Sequence, residues 1–190
     1  MKKVGILGGT FNPPHNGHLI IANEVFDALK LDEIRFMPNA VPPHKEKAGD
    51  AELSHRLEMT RLAIEDTPYF LLETAEISRG GKSYTYDTMV ELKAEEPDVD
   101  FFFIIGGDSI DSLKTWYRIE DLIQFVNFVG VGRIGSTGET EYPVTKVDIP
   151  LIDLSSTLIR NRFVEGKTVK FLIPEKVEHY IREECLYGSN

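Results

Sequence analysis

The chain has a single cysteine, Cys185, among its 190 residues. One thiol excludes an internal disulfide and any cysteine-cluster zinc site. Long apolar runs are missing too. No stretch approaches the roughly 18 residues of a transmembrane span, and no secretory signal pattern opens the chain. The expectation is a soluble, cytoplasmic protein with no membrane partner. Basic charge is scarce: Lys and Arg number 21 against 31 Asp and Glu, for a net charge of −10 and a pI of about 5.0. A nucleic-acid-binding surface normally shows a basic face, so no nucleic-acid partner is expected. A nucleotide substrate stays open, because a small basic pocket can sit in an acidic protein. Internal repeats and low-complexity tracts are also lacking. What remains is an ordinary globular composition, 42% hydrophobic and 27% charged, with length for one domain, 1–190, around a substantial core.

The most informative stretch runs from Gly8 to His18, Gly-Gly-Thr-Phe-Asn-Pro-Pro-His-Asn-Gly-His. It follows the apolar run Val4–Leu7, which reads as a first strand, and precedes Leu19–Leu29, which reads as a helix. A glycine-bearing strand-to-helix turn is where an open α/β fold binds phosphate. Glycines let backbone N–H groups approach the ligand, and a helix N-terminus presents positive partial charge. His15 and His18 are three residues apart and share a side of the first helical turn. The other glycine-loop patterns fail. A dinucleotide fingerprint wants G-x-G-x-x-G, and here bulky Phe11 and two prolines follow adjacent glycines. Gly81-Lys82-Ser83 and Gly166-Lys167-Thr168 echo a Walker loop, but Glu76 and Asn161 stand where its first glycine belongs. Both tripeptides read as turns.

Strands and helices alternate. Strands are expected at Val4–Leu7, Glu33–Met37, Tyr69–Ala75, Phe101–Ile105, Phe125–Val131 and Val144–Val147. Helices are expected at His18–Lys30, Ser54–Asp66, Thr85–Glu96, Ile119–Ile123, Ser156–Glu165 and Glu175–Glu184. Flexible connections are expected at Asn39–Asp50 and Ile134–Pro143. This order implies an α/β protein: a single Rossmann-like domain with a mostly parallel, doubly wound sheet and helices on both faces. Phe101–Ile105 is apolar on both faces, as a central strand must be. With strand order 3-2-1-4-5, strands 1 and 4 are neighbours, and the crevice opens at their C-terminal ends. Gly8-Gly9 and Gly106-Gly107-Asp108-Ser109 therefore converge on one site.

Gly8–His18 resembles the G-x-F-x-P-x-H-x-G-H signature of the nucleotidylyltransferase superfamily, matched at Gly9, Phe11, Pro13, His15, Gly17 and His18. A second signature, I-S-S-T-x-[IL]-R, is matched by Leu154-Ser155-Ser156-Thr157-Leu158-Ile159-Arg160, with Leu154 for isoleucine. The resemblance implies nucleotidylyl transfer, in which a substrate phosphate attacks the α-phosphorus of a nucleoside triphosphate and expels pyrophosphate. The nucleophile is already an anion, so catalysis reduces to in-line positioning and charge neutralisation. His18 would donate to the α-phosphate, and His15 would bind the triphosphate. Ser155, Ser156, Thr157 and Arg160 would grip the β- and γ-phosphates. Gly8, Gly9, Thr10, Phe11, Gly106 and Asp108 complete the ATP-binding set, with Arg133 a weaker member. Plainer readings stand beside these: a capping or metal-binding histidine pair, a helix N-cap at Ser155, a solvated Arg160, and Asp108 as a cap of the next helix. No protein metal site is expected. Mg²⁺ would come with ATP, and Asp108 could help place it.

Within the superfamily, phosphopantetheine adenylyltransferases typically read T-x-G-H where this chain has His15-Asn16-Gly17-His18. Cytidylyltransferases carry an R-T-x-G-I-S-T-T segment that is missing here. The first motif, Pro38-Asn39, Pro42-Pro43-His44-Lys45, Ser83-Tyr84-Thr85, Gly106-Gly107-Asp108 and Trp116-Tyr117 are similar to the bacterial nicotinate mononucleotide adenylyltransferase family. That resemblance spans essentially the whole chain. It implies ATP and nicotinate mononucleotide as substrates, and a homodimer. Acceptor-binding candidates are Asn39, His44, Lys45, Thr85, Tyr86, Trp116 and Tyr117. Trp116 could stack on the cationic ring, the alternative being a core tryptophan. The N–H groups of Thr85 and Tyr86 could bind the ring carboxylate. His44 and Lys45, with Lys47 behind them, could meet the acceptor phosphate. The rival readings are the same chemistry on nicotinamide mononucleotide or phosphopantetheine, and a nucleotide-binding regulator without catalysis.

Overall fold

Alternation along the longest apolar strand sets the layering. Phe101, Phe103 and Ile105 point into one buried cluster, while Phe102 and Ile104 pack with another. A strand apolar on both sides needs helices over both faces. The computed structural model, which describes residues 1–40, 51–80, 84–132, 140–150 and 152–189, has that arrangement. Its strands are β1 (Lys2–Gly9), β2 (Glu33–Pro38), β3 (Phe70–Leu72), β4 (Val99–Gly106), β5 (Asn127–Val131) and β6 (Val144–Val147). Its helices are α1 (Asn16–Leu29), α2 (Leu53–Ile64), α3 (Ala75–Arg79), α4 (Thr85–Glu95), α5 (Gly107–Ser112), α6 (Ile119–Leu122), α7 (Ser156–Val164) and α8 (Glu175–Glu183).

The sheet order is β3-β2-β1-β4-β5-β6, and every pairing is parallel. The first five strands follow the expected order, and β6 extends the sheet. Val4 and Ile6 of β1 join the cluster built with Met89 and Leu92 of α4 and with Ile110 and Leu113. Leu7 joins the opposite cluster, with Ala22 and Val25 of α1 and Ile64 of α2. A third cluster gathers Met59 of α2 with Ile159, Phe163, Val177 and Ile181 of α7 and α8. Among the described residues no helix is long and apolar enough to cross a membrane.

Several expected boundaries move. β1 continues through Gly8 and Gly9, which pair with Met37 and Pro38. The strand expected over Tyr69–Ala75 is only Phe70–Leu72, and Ala75 opens α3. There Glu73 accepts from the N–H groups of Thr74 and Ala75, turning the chain out of the sheet. Phe125 and Val126 precede β5 rather than belonging to it. Gly107 starts the unexpected helix α5, capped at Gly106. Gly166 adopts φ +64° after α7, as the turn reading of Gly166-Lys167-Thr168 requires. Gly81-Lys82-Ser83 lies outside the described residues, as do residues 41–50 and 134–139 of the two expected flexible connections.

Candidate active site

In the strand-to-helix turn two rings crowd the backbone at Gly9 and Gly17. Phe11 is buried at φ +50°, and a Cβ on Gly9 would lie 3.0 Å from its ring. A Cβ on Gly17 would lie 3.0 Å from Nδ1 of His15. His15 is the N-cap of α1, in extended backbone, and forms a capping box with His18. In that box the His15 backbone N–H donates to Nδ1 of His18 at 3.1 Å. Nδ1 is thus the acceptor, so the proton of neutral His18 resides on Nε2. The two imidazoles stack with centroids 3.7 Å apart, and Phe11 meets His18 edge-on at 5.0 Å. The His18 ring is therefore fixed from three directions. The spacing that suggests a helical face also creates the cap.

A cavity of about 350 Å³ opens above these rings. His15 and His18 line it, with Asp108 after β4, Gly132 after β5 and Ser155 at the start of α7. Elements that follow β1, β4 and β5 thus meet in one crevice, where the strand order locates it. Asp108 is exposed in the first turn of α5 and is not its cap.

The second motif is tied directly to the first. Ser155 caps α7, its hydroxyl accepting from the N–H of Leu158 at 3.2 Å. Ser156 donates to the Pro13 carbonyl at 2.8 Å. Arg160 donates to the Asn12 carbonyl at 2.8 Å and contacts the Thr157 hydroxyl at 3.4 Å. The N-cap reading of Ser155 therefore holds, while Arg160 is half-buried against the first motif rather than a solvated helix arginine. This latch keeps the N-termini of α1 and α7, and their positive partial charges, at one site.

Among the candidate acceptor-binding residues, Thr85 opens α4, as expected. The ring of Tyr86 packs against Tyr117 and Phe125, with the Arg118 guanidinium 4.2 Å from its centroid. Tyr84 and Tyr117 lie 4.7 Å apart, so these rings join the α4 start to the Trp116-Tyr117 segment. Trp116 closes a 3₁₀ turn. It packs edge-on against Phe103 and Phe128 and is only partly buried. The loop-borne tryptophan expected from its polar neighbours is thus anchored in the core on one edge. Asn39 is half-buried, its Nδ2 donating to the Thr10 hydroxyl at 3.4 Å and its Oδ1 accepting from Arg56 at 3.2 Å. His44, Lys45, Lys47 and Arg133 lie outside the described residues.

Two residues escaped the sequence reading. Arg56 of α2 is 2% exposed and reaches the first motif at Thr10. The stripe Arg56, Met59, Thr60 and Ile64 is the buried side of α2, and its helical spacing is the signal that could have found Arg56. Glu76 of α3 is also buried. Its burial pushes the carboxyl above the usual range, opposed by Arg79 and by a hydrogen bond with the Ala40 backbone. No motif marks it. Among the described residues no group of three or more His, Cys, Asp or Glu side chains could hold a metal ion.

The parallel sheet, the glycine turn and the two latched motifs define a nucleotidyltransferase, and the cytidylyltransferase-like family matches residues 6–162. A relative from Lactiplantibacillus plantarum, named "Probable nicotinate-nucleotide adenylyltransferase", is 55% identical over 189 residues, covering 100% of this chain and 90% of its own. A relative of the same name from Bacillus mycoides is 53% identical, covering 100% of both. The chain belongs to the nicotinate-nucleotide adenylyltransferases. Its fold is also that of a Plasmodium falciparum nicotinic acid mononucleotide adenylyltransferase solved with NaAD, with a TM-score of 0.83 at 22% identity over 100% of this chain and 99% of that one.

Proposed function

We propose that this chain transfers the adenylyl group of ATP to nicotinate mononucleotide, giving nicotinic acid adenine dinucleotide and pyrophosphate. The observation that carries the reading is the His15–His18 stack at the mouth of the cavity, bound into the α1 cap and latched to α7 through Arg160. A phosphate oxygen of the acceptor attacks the α-phosphorus. The new P–O bond forms as the bond to the leaving pyrophosphate breaks, with no covalent enzyme intermediate. The fixed tautomer presents Nε2–H of His18 to the α-phosphate, where negative charge grows in the transition state. Arg160 and the first-turn N–H groups of α7 neutralise the departing phosphates. Relatives named nicotinate-nucleotide adenylyltransferases, 53% and 55% identical over the whole of this chain, support the acceptor assignment.

The donor set fits Mg²⁺ carried on the triphosphate rather than in a protein cage. Asp108 and Asp153, the carboxylates lining the cavity, would supply the one or two protein ligands such an ion takes, and when bound it neutralises phosphate charge. On the acceptor side, the N–H groups opening α4 would bind the ring carboxylate, and the exposed part of Trp116 would stack on the ring. The test is pyrophosphate release with ATP and Mg²⁺, comparing nicotinate mononucleotide with its amide and with phosphopantetheine. Strong preference for the nicotinate form is expected. Activity only with another acceptor would overturn the acceptor assignment and keep the His18 chemistry. Silence with all three would favour the non-catalytic regulator.

A further inference from the structure

We propose that Arg56 is a positioning residue that clamps the acceptor side of the crevice onto the adenylyl side; the inference rests on the transferase reading above. The Arg56 guanidinium lies between two segments that approach each other at the C-terminal ends of β1 and β2. On one side Nη1 donates to the Thr10 carbonyl at 2.9 Å, inside the first motif. On the other it donates to Oδ1 of Asn39 at 3.2 Å, while Nη2 donates to the carbonyls of Asn39 at 2.8 Å and Ala40 at 3.4 Å. The same turn is held from further directions. The Asn39 N–H donates to the Gly9 carbonyl at 3.0 Å, the Asn39 amide reaches the Thr10 hydroxyl, and Glu76 binds the Ala40 backbone.

Burying a guanidinium is costly unless its donors are satisfied. A planar fork with five N–H donors can hold several carbonyls in one fixed geometry, and a lysine ammonium cannot. The bonds of Arg56 run to both segments at once, so its geometry sets the separation of Thr10 from Asn39. Thr10 belongs to the loop that leads into the His15 cap of α1, the helix that carries His18. Asn39 opens the acceptor side. In-line transfer needs the acceptor oxygen and the α-phosphorus held close to attack distance, so a small error in that separation lowers turnover without removing a ligand contact.

The test compares Arg56→Gln and Arg56→Lys with the wild type by kcat, KM for each substrate, ATP affinity in the absence of acceptor, and Tm. For Arg56→Gln, kcat should fall about 100-fold, the order that misplacement costs, with KM for the acceptor raised. ATP affinity alone should change less than about threefold, since the clamp acts between the two substrates. Arg56→Lys keeps the buried charge and should recover Tm, but less than about a tenth of kcat, because one ammonium cannot span both segments. Arg56→Lys restoring kcat along with Tm would overturn the inference, as would Arg56→Gln retaining wild-type kcat. Should Arg56→Gln fail to fold, Arg56→Lys and Asn39→Ala carry the same comparison, with Asn39→Ala expected to lower kcat about tenfold through loss of one contact in the clamp. A wild type that works only on another phosphorylated acceptor overturns the nicotinate assignment, and the Arg56 comparison is then read on that acceptor. A wild type active on nicotinate mononucleotide with equally active variants overturns the Arg56 inference alone. Silence of the wild type with every acceptor overturns both.

Discussion

Two arginines show how differently two regions of this molecule use a positive charge. Arg35, on β2, is surrounded by carboxylates: Glu33 at 2.8 Å, Glu73 at 3.2 Å and Glu96 at 2.5 Å. Lys2 adds a second cation at 2.7 Å from Glu33. Arg160, on α7, donates to the Asn12 carbonyl and the Thr157 hydroxyl, and among the described residues it pairs with no carboxylate. The charge of Arg35 is cancelled in place and fastens the neighbouring strands to the end of α4. That of Arg160 is oriented by neutral acceptors, the arrangement that the proposed grip on the departing phosphates requires. The contrast teaches that the partners of a charge, more than its residue type, separate a fastener from a ligand-binding group. In an acidic chain of net charge −10, the crevice still holds a cation whose bonds run to neutral groups, although Asp108 and Asp153 line the same cavity.

The sharpest way to break the contrast is at the centre of the crevice. Replacing His18 by Ala should lower kcat by about 10²–10³, the usual loss for a transition-state donor, while Tm changes little. Near-normal turnover would refute its role. Arg160→Gln should follow, with kcat/KM for ATP falling by about 10- to 100-fold, since a hydrogen bond to a charged group contributes roughly 1.5–3 kcal/mol. Stability should fall only by about 1 kcal/mol, the contribution of the bond to Asn12. If Arg160→Gln instead unfolds the protein with turnover intact in the folded fraction, Arg160 is a second fastener and the contrast fails.

Arg35→Met should do the reverse. It leaves Glu33, Glu73 and Glu96 crowded without their cation and should destabilise the fold by about 3 kcal/mol, as breaking a buried pair does. Turnover of the folded enzyme should stay near wild type, and urea titration alongside kcat separates the two effects. A large loss of kcat at full folding would place Arg35 with the functional group of residues.

The sequence made one half of this contrast legible and hid the other. The crevice could be read because its parts are local: a glycine turn between an apolar run and a helix, a Ser-Ser-Thr start to another helix, and two glycine pairs on strands the topology makes neighbours. Arg35 and Arg56 could not be read that way. A lone arginine in a strand or helix normally signals a solvated side, and the partners of Arg35 are spread over β2, the end of β3 and the end of α4. The short helices α3 and α5 were missed for a related reason. α3 follows a run that reads as strand, and α5 opens on Gly107-Asp108-Ser109, which reads as the turn after a glycine pair. Trp116 shows a third limit. Its polar sequence neighbours place it on a loop, while contacts from β4 and β5 pull one edge of the ring into the core.

The smallest expected effect concerns two carboxylates with opposite signs of pH dependence. The hydrogen bond from Arg35 holds the Glu96 carboxyl below the ordinary range, more than its burial raises it, with Lys2 assisting. Its contribution to stability is present above the unfolded value and lost as the pH falls through the folded one. Glu76 runs the other way. Burial raises its carboxyl above the ordinary range, against the pull of Arg79 and the Ala40 backbone. The folded protein therefore holds that proton more tightly than the unfolded chain. The resulting stability is full below the unfolded value and disappears as the pH rises through the raised folded value, above which the buried carboxyl is charged. Glu76→Gln keeps an oxygen that can accept from the Ala40 backbone and removes the charge. It should raise Tm slightly at pH 8 and leave it unchanged near pH 4, with chemical denaturation at both values as the check. Destabilisation at pH 8 with no change near pH 4 would mean that the ionised carboxylate is needed to hold Ala40. The acceptor side of the crevice would then depend on a fixed charge, as the Arg35 cluster does, and the division between the two regions would be narrower than Arg160 alone suggests.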